Sequence, residues 1–308
     1  MSELRLHQKN SMNTSEFNYD QAFARNLGWV TPAEQRALRN KTVAIGGMGG
    51  VGGHHLLALV RLGIGNFRIA DNDHFELANF NRQAGATIGN VGASKTETMA
   101  RMAREINPQV KIEIWHDGLG PDNLYLFLSG ADLYIDGLDF FAFDIRAATF
   151  AACARLKVPA VTAAPLGMGA AWLTFMPGKM TFEQYFQWGD RSRVEKAARF
   201  LVGLTPGMRP DYLVDPSRVD LESGAGPSTP MACYLCAGIA ATEALKILLG
   251  RGRIVCAPFG LHFDAYNSRM VRTWQPLGNA NPLQRLKIAV VKRRMAPKSK
   301  TPALVPAQ

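Results

Sequence analysis

Apolar residues follow a regular pattern between positions 41 and 73, and this pattern predicts a strand, a helix and a second strand. The β-branched run at 41–45 is typical of a buried strand. The apolar run at 54–62 is long enough for one helix, and 67–70 has the composition of a second strand that leads into Asp71. Together these segments predict a βαβ unit.

Further along the chain, short apolar segments alternate with longer segments of helical periodicity. This alternation is typical of an α/β domain, and we expect a Rossmann-like doubly wound sheet with helices on both faces. A loop over the edge of the sheet is expected at 163–169. We predict strands at 110–115, 133–135, 158–162 and 171–176, a hairpin at 258–274, and helices at 96–106, 122–128, 140–157, 183–188, 193–201 and 232–249.

The turn between the first strand and the first helix is rich in glycine. Its spacing is G-x-G-x-x-G, and the glycines concerned are Gly47, Gly49, Gly50 and Gly52. Glycines at these places permit a tight turn, close approach of a phosphate to the backbone, and close helix–strand packing. Asp71 lies nineteen residues beyond Gly52, where an acid can bind ribose hydroxyls. The alternative is an ordinary glycine-rich turn, but the surrounding strand, helix and acid indicate nucleotide binding.

The polar residues that follow the second strand narrow the class of nucleotide-binding protein. The chain contains a D-x-D at Asp71 and Asp73, an N-x-x-R-Q beginning at Asn79, a lysine at Lys95 after a G-x-x, and a D-x-x-D ending at Asp139. In this order and spacing, the chain resembles the ThiF/MoeB/HesA family, the relatives of ubiquitin-activating enzymes, from about residue 17 to about residue 266. The resemblance implies a parallel nucleotide-binding half that continues into antiparallel strands. It also implies adenylation of the C-terminal carboxylate of a small protein.

The resemblance assigns roles to individual residues. The glycine loop and Asp71 would hold the phosphates and ribose of ATP, with Asp73 beside them. Asn79, Arg82 and Lys95 would hold the polyphosphate, and Asp139 would bind Mg²⁺. Arg25 best matches an arginine that, in the family, crosses a dimer interface to the partner's ATP. For Arg25, Arg82 and Lys95, the alternative is an ordinary solvated charge on the surface. For Asp136, three residues before Asp139, the alternative is to cap the turn that follows it.

The same resemblance suggests a domain organisation and a partner. We expect an N-terminal helical segment at 1–40, an adenylation domain at 41–278 with a variable crossover region at 177–230, and a basic tail at 279–308. Thr31 and Pro32 have the sequence of a helix start. The expected partners are a small ubiquitin-like or sulfur-carrier protein with a C-terminal Gly-Gly, and a second copy of the chain in a homodimer.

The composition of the chain bears on its cellular location and on where its charge lies. Apolar residues make up 47% of the chain without a run of eighteen, so we expect no transmembrane segment, and the few, unevenly spaced cysteines suit a reducing cytoplasm. Nine of the 35 basic residues and none of the 25 acidic residues lie at 265–308. Residues 282–294 could form a short basic helix. We interpret that tail as a solvated end, with contact to an anionic membrane or partner as the alternative.

Cys233 and Cys236 form a C-x-x-C at the start of a predicted helix. Buried packing is our first interpretation, and redox or acceptor chemistry is the second. A structural zinc site is not expected, because the second cysteine pair that such a site needs is absent from the sequence. No cysteine lies between Cys153 and Cys233, so we expect no thioester-forming residue in the crossover region.

Three other functions compete with adenylation of a carrier protein. Some members of the family adenylate a modified tRNA base, and the basic tail keeps that substrate open. A non-catalytic scaffold would keep the fold without the activity. A nicotinamide-dependent oxidoreductase also uses a glycine loop and a ribose-binding acid, but it has no use for Asn79, Arg82, Lys95 and Asp139 together.

Overall fold

One mixed sheet of eight strands forms the centre of the protein. The computed structural model describes residues 16–207, 211–219 and 226–295. The strands are β1 (Thr42–Gly46), β2 (Asn66–Ala70), β3 (Lys111–Trp115), β4 (Leu133–Asp136), β5 (Ala160–Leu166), β6 (Gly169–Phe175), β7 (Phe259–Asp264) and β8 (Arg269–Trp274). They lie in the order β3-β2-β1-β4-β5-β6-β7-β8.

The first five strands of this order are parallel, and the pairings from β5 to β8 are antiparallel. The expected α/β sheet with a parallel half and an antiparallel continuation is therefore confirmed. Gly46 at the end of β1 pairs with Ala70 of β2 on one side and with Asp136 of β4 on the other. The chain reverses its direction of winding between β1 and β4, and ligands of such sheets bind at that point, beyond the carboxyl ends of the strands.

Helices cover both faces of the sheet. Along β1, Val43 and Ile45 belong to one apolar cluster and Ala44 to the other, as alternation along a strand requires. The helices are α1 (Tyr19–Ala22), α2 (Pro32–Arg39), α3 (Gly52–Arg61), α4 (Lys95–Ile106), α5 (Leu124–Leu128), α6 (Phe143–Leu156), α7 (Phe182–Phe186), α8 (Arg193–Leu204), α9 (Pro230–Leu249) and α10 (Pro282–Met295). Residues of α3, α4 and α9 pack in the first cluster, and residues of α5–α8 in the second.

The predicted start of α2 is confirmed in detail. The Thr31 hydroxyl accepts a hydrogen bond from the amide of Glu34 at 3.2 Å, and the Glu34 carboxylate accepts one from the amide of Thr31 at 2.7 Å. Pro32 occupies the first helical position. This reciprocal cap satisfies two amides that the helix leaves without partners, and so fixes where α2 begins.

The predicted loop at 163–169 is wrong. Strand β5 continues to Leu166 and β6 begins at Gly169, so these residues form a hairpin whose tip is Gly167 and Met168. Pairing to β6 on one edge stabilises the extended backbone of 163–166, and this tertiary contact overrides the turn signal of Pro165 and the glycines. The tip still lies at the same edge of the sheet as the glycine loop.

The interpretation of the tail as a solvated end is wrong for residues 282–295. These residues form α10, which packs against α8 and buries Gln284 and Ile288. Of the chain's described helices, α9 is long and apolar enough to cross a membrane by length and composition, although it contains no unbroken run of eighteen apolar residues. In the structure α9 packs against α3, β5 and β6.

Candidate functional site

The glycine loop between β1 and α3 is shaped by two backbone contacts. Gly47 has a φ of 89°, and its amide donates to the carbonyl oxygen of Ala70 at 2.7 Å. A Cβ on Gly47 would overlap with the carbonyl of Gly137, and a Cβ on Gly52 would overlap with the carbonyl of Gly47. The loop therefore needs glycine at both positions to close against the end of β4.

Gly49 and Gly50 have no such packing constraint. A Cβ on Gly49 would lie 3.7 Å from Gln83, and one on Gly50 would lie 3.6 Å from Sγ of Cys233 and 3.7 Å from Nε of Arg82. These are ordinary van der Waals distances, so the fold itself accepts a small side chain here. Glycine at these two positions fits the close approach of a ligand to the backbone.

Asp71 supports the glycine loop from β2. Its Oδ2 accepts a hydrogen bond from the amide of Met48 at 2.6 Å, and its Oδ1 accepts one from the amide of Asp73 at 2.8 Å. The sequence correctly placed this acid beside the loop. It did not reveal that both oxygens bind the protein's own backbone; the ribose contact stays a prediction.

Asp73 and Lys95 form an ion pair at the same edge. Nζ of Lys95 lies 2.9 Å from Oδ2 of Asp73, and the two side chains are 8% and 67% exposed. Lys95 is the first residue of α4, and its amide donates to the carbonyl of Asp73 at 3.0 Å. A largely buried ammonium group requires a partner. Asp73 therefore holds Lys95 in place next to solvent.

Arg82 lies over the glycine loop. Its Nη1 donates to the carbonyl of Ala78 at 3.0 Å and to Oδ1 of Asn81 at 2.9 Å. Asn79 shapes the turn before it, because Oδ1 of Asn79 accepts from the amide of Glu76 at 3.0 Å and its carbonyl accepts from the amide of Arg82 at 3.1 Å. The structure thus gives Asn79 a supporting contact and brings Arg82 to the loop.

His54 contributes a contact that sequence reasoning missed. Its Nε2 donates to the carbonyl oxygen of Arg82 at 2.9 Å, and its ring packs against Tyr234 of α9 with 4.6 Å between centroids. Burial lowers the pKa of His54 below its usual value. The neutral ring therefore joins α3, α9 and the backbone of Arg82. Its position directly after the glycines was the available signal.

Asp136, the last residue of β4, and Asp139, three residues later, have different surroundings. Asp136 is buried and accepts from the amide of Leu138 at 3.2 Å, from the hydroxyl of Thr162 at 2.9 Å and from Nε of Arg146 at 2.8 Å. The turn-capping alternative for Asp136 is thus confirmed, and its pairing with Arg146 was missed. Asp139 is exposed, and its Oδ1 accepts from the amide of Phe141 at 2.9 Å.

The described residues at this edge offer a metal no cage of protein ligands. No group of three or more His, Cys, Asp or Glu residues suited to a metal occurs within the described residues. Mg²⁺ is commonly held by one or two carboxylates together with substrate phosphates and water. The exposed carboxylate of Asp139 fits that kind of binding.

Arg25 lies away from the glycine loop of its own chain. It is exposed on a 3₁₀ turn (Ala24–Asn26). Asn26, in the same turn, donates to the carbonyls of Arg61 and Leu62, where α3 ends. The glycine loop is at the opposite end of this ten-residue helix, about 15 Å away at 1.5 Å per residue. The structure therefore does not bring Arg25 to the other candidate residues within one chain.

Cys233 and Cys236 are core residues. Both are fully buried on α9 and belong to the apolar cluster under α3. Burial raises the pKa of both thiols, which disfavours the reactive thiolate. The packing interpretation is confirmed, and Cys233 forms part of the surface under Gly50.

The crossover region reaches the same edge from the antiparallel half. The Tyr212 hydroxyl accepts from the amide of Met168 at 2.8 Å and donates to Oδ1 of Asp264 at 3.2 Å. Thr229 donates to the carbonyl of Gly167 at 2.9 Å, and Asn81 donates to the carbonyl of Ser228 at 2.9 Å. The described segments 211–219 and 226–230 of this region therefore both contact the tip of the β5–β6 hairpin or the loop that carries Arg82.

Comparison with known proteins shows what this arrangement is similar to. Residues 23–286 match the ThiF family. The chain is 35% identical over 146 residues to the tRNA threonylcarbamoyladenosine dehydratase of Haemophilus influenzae, covering 47% of this chain and 55% of that protein. It is 32% identical over 169 residues to the adenylyltransferase and sulfurtransferase MOCS3 of Aedes aegypti, covering 54% and 38%. The chain thus spans about half or less of the length of these curated relatives.

The fold is also similar to that of a solved enzyme complex. The crystal structure of E. coli MccB with ATP aligns with a TM-score of 0.63 and 20% identity, covering 87% of this chain and 72% of that one. At this identity the likeness concerns the fold.

Proposed function

This chain belongs to the ThiF family, and from that membership we propose that it catalyses ATP- and Mg²⁺-dependent adenylation of a carboxylate. One observation carries the proposal. The glycine loop, the Asp73–Lys95 pair, Arg82 and Asp139 meet at a single edge of the sheet, where β1, β2 and β4 end. Family membership favours this chemistry over the nicotinamide alternative.

In the proposed reaction, a carboxylate oxygen attacks the α-phosphorus of ATP. The bond from that phosphorus to the bridging oxygen breaks, its electron pair leaves with pyrophosphate, and an acyl-adenylate remains. The protein's contribution is positioning and charge stabilisation. Gly49, Gly50 and the N-terminus of α3 would accept the phosphates closely, and Arg82 and Lys95 would balance the charge on the leaving pyrophosphate.

Three further residues complete the proposed nucleotide site. Asp71 would bind ribose hydroxyls with the lone pairs that Met48 and Asp73 leave available, while Asp73 keeps Lys95 in place. The side chain of Asn79 caps the turn before Arg82, and through this turn it would orient Arg82. Mg²⁺, held by Asp139 and substrate oxygens, would neutralise polyphosphate charge.

We further propose that the active unit is a homodimer in which Arg25 serves the partner's site. Arg25 is exposed and lies at the far end of α3 from its own loop. Large apolar side chains are exposed on the same turn region and on the loop that carries Arg82: Trp29 is 84% exposed, Ile88 79% and Leu77 67%. In the proposed dimer, these apolar side chains would be covered by the partner.

The proposed substrate is the C-terminal glycine of a small ubiquitin-like or sulfur-carrier protein with a Gly-Gly end, in the cytoplasm. Two observations support this choice. The relative MOCS3 is named an adenylyltransferase and sulfurtransferase. The crossover region meets the hairpin tip at Gly167 and Met168, so an extended chain passing along this edge would reach the nucleotide.

Adenylation of a tRNA base is the second candidate function. It is favoured by 35% identity to a tRNA threonylcarbamoyladenosine dehydratase and by the basic residues at 265–308. Incubation of the protein with α-labelled ATP, and with either a Gly-Gly-ended carrier or bulk tRNA, separates the two. Label on the carrier supports our proposal and label on tRNA supports the second candidate. Label on neither, with ATP bound, supports a non-catalytic scaffold.

A further inference from the structure

Helix α10 has an apolar stripe on its outer side. Leu283, Leu286 and Val290 are 69%, 64% and 38% exposed. Their spacing of three and four residues places them on one face of the helix, in a line about 10 Å long.

The opposite side of α10 is fixed to the protein. Ile288 is 4% exposed, and the Gln284 amide donates to the carbonyl of Val202 at 3.3 Å. Lys287, four residues after Leu283 at the border of the stripe, also reaches the protein: its Nζ donates to the carbonyl of Pro206 at 2.6 Å. On the opposite side, Nζ of Lys292 lies 2.9 Å from Oε2 of Glu195. These contacts with α8 and the residues after it fix the rotation of α10 about its axis, so the outer stripe cannot turn inward.

Two exposed basic residues lie on α10 outside the stripe. Arg285 and Arg293 are exposed, and within the described part of the chain neither is paired with an acidic side chain. At 100° per residue, Arg293 projects about 20° from Leu286, whereas Arg285 projects about 100° or more from each residue of the stripe. The sequence from 265 to 308 has nine basic and no acidic residues, while the rest of the chain is nearly neutral. The net positive charge of the protein is therefore concentrated in the part of the sequence that contains this helix.

We propose that the outer face of α10 binds an anionic lipid surface. An exposed apolar stripe and exposed arginines on one helix suit a membrane interface, where aliphatic side chains enter the acyl boundary and cations meet lipid phosphates. Three side chains are a small area beside the roughly 800 Å² per partner of a stable protein interface. Charge complementarity selects an anionic surface over a neutral one. This contact is independent of the adenylation site.

Flotation of the full-length protein with phosphatidylcholine vesicles, with and without phosphatidylglycerol, tests the proposal. We expect binding to the anionic vesicles and its loss at high salt, because exposed charges are screened. The double variant L283Q/L286Q should bind about tenfold more weakly or worse. The matched control is L126Q on α5, since Leu126 is 68% exposed, and it should bind like the wild type.

A second set of variants tests whether the arginines of α10 are needed for binding to anionic vesicles. R285Q/R293Q should also lose binding to anionic vesicles, and R104Q, at an exposed position on α4, should keep it. Equal binding to neutral and anionic vesicles, or unchanged binding by L283Q/L286Q, would overturn the proposal. An absence of binding to any vesicle would also overturn it. In that case, self-association of the wild type that is lost in L283Q/L286Q would show that the stripe binds a second copy of the chain instead.

Discussion

Nε of Arg146 lies 2.8 Å from Oδ2 of Asp136, and both side chains are 2% exposed. Arg146 also donates from Nη2 to the carbonyl oxygens of Leu138 and Asp139, at 2.8 Å each. The pair therefore holds the backbone that follows β4. Because this backbone closes against the glycine loop and carries Asp139, one buried ion pair supports two parts of the candidate site.

Replacing Arg146 by Gln should strongly destabilise the fold. The substitution leaves the Asp136 carboxylate buried without its cation, and breaking such a pair costs about 3–5 kcal/mol. Urea denaturation measures the loss. Arg155→Gln is the control on the same helix, because Arg155 is exposed, and it should cost less than about 1 kcal/mol. Equal, small losses in both variants would show that the pair does not support the fold.

The glycines of the loop should separate into two groups on substitution. Gly52→Ala should destabilise the protein by about 1–3 kcal/mol or more, since its Cβ would overlap with a carbonyl of the loop. Gly50→Ala should stay within about 1 kcal/mol of the wild type, yet weaken ATP binding about tenfold by filling the space over the loop. Calorimetry with ATP and urea denaturation give both quantities. Unchanged ATP affinity in Gly50→Ala would place the nucleotide elsewhere.

Stability should fall in mild acid because of His55. Burial, with a smaller effect of His54, lowers the pKa of His55 to about 3, whereas an unfolded histidine titrates near 6.5. Between these values the unfolded chain binds a proton that the native protein excludes. The contribution of His55 is therefore intact above about pH 6.5 and is lost as the pH falls.

Between about pH 7 and pH 5, the wild type should lose roughly 2 kcal/mol more than His55→Gln. Urea denaturation at the two pH values measures this difference. His74→Gln is the control, because His74 is exposed, and it should keep the pH dependence of the wild type. The same pH dependence in His55→Gln would mean that the buried histidine is not its source.

Mixing two inactive variants should restore activity if Arg25 acts across a dimer. In a mixed dimer of Arg25→Ala and Asp139→Ala, one site keeps its own Asp139 and receives an intact Arg25 from the other protomer. Random exchange of subunits should then recover about a quarter of the wild-type sites in a two-fold symmetric dimer. Turnover of the mixture, against each variant alone, measures the recovery. An inactive mixture would mean that Arg25 has no role across the interface.

The sequence predicted the parts of the fold that depend on local pattern. The β-branched run before Gly47 and the spacing to Asp71 defined the βαβ unit, and Thr31 with Glu34 defined the start of α2. Each of these features depends on neighbours in the chain, so a single sequence contains the signal.

Features made by distant contacts were not predictable in this way. The segment 163–166 is a strand because β6 pairs with it, and α10 is docked because α8 offers a surface. Arg146 pairs with Asp136 across the first turns of α6, and Asp71 uses its oxygens on backbone amides. The candidate residues were named from sequence, while their supporting contacts were visible only in three dimensions.

Exchange of labelled pyrophosphate into ATP tests the central claim most directly. The assay contains the purified protein, Mg²⁺ and Gly-Gly-ended carrier proteins. We expect exchange that requires the carrier and that is lost in Arg82→Ala and Asp139→Asn. Asp190→Asn, at an exposed aspartate in the turn before α8, should keep it. Carrier-dependent exchange that persists in Asp139→Asn and Arg82→Ala, or a protein that binds no ATP, would contradict the account.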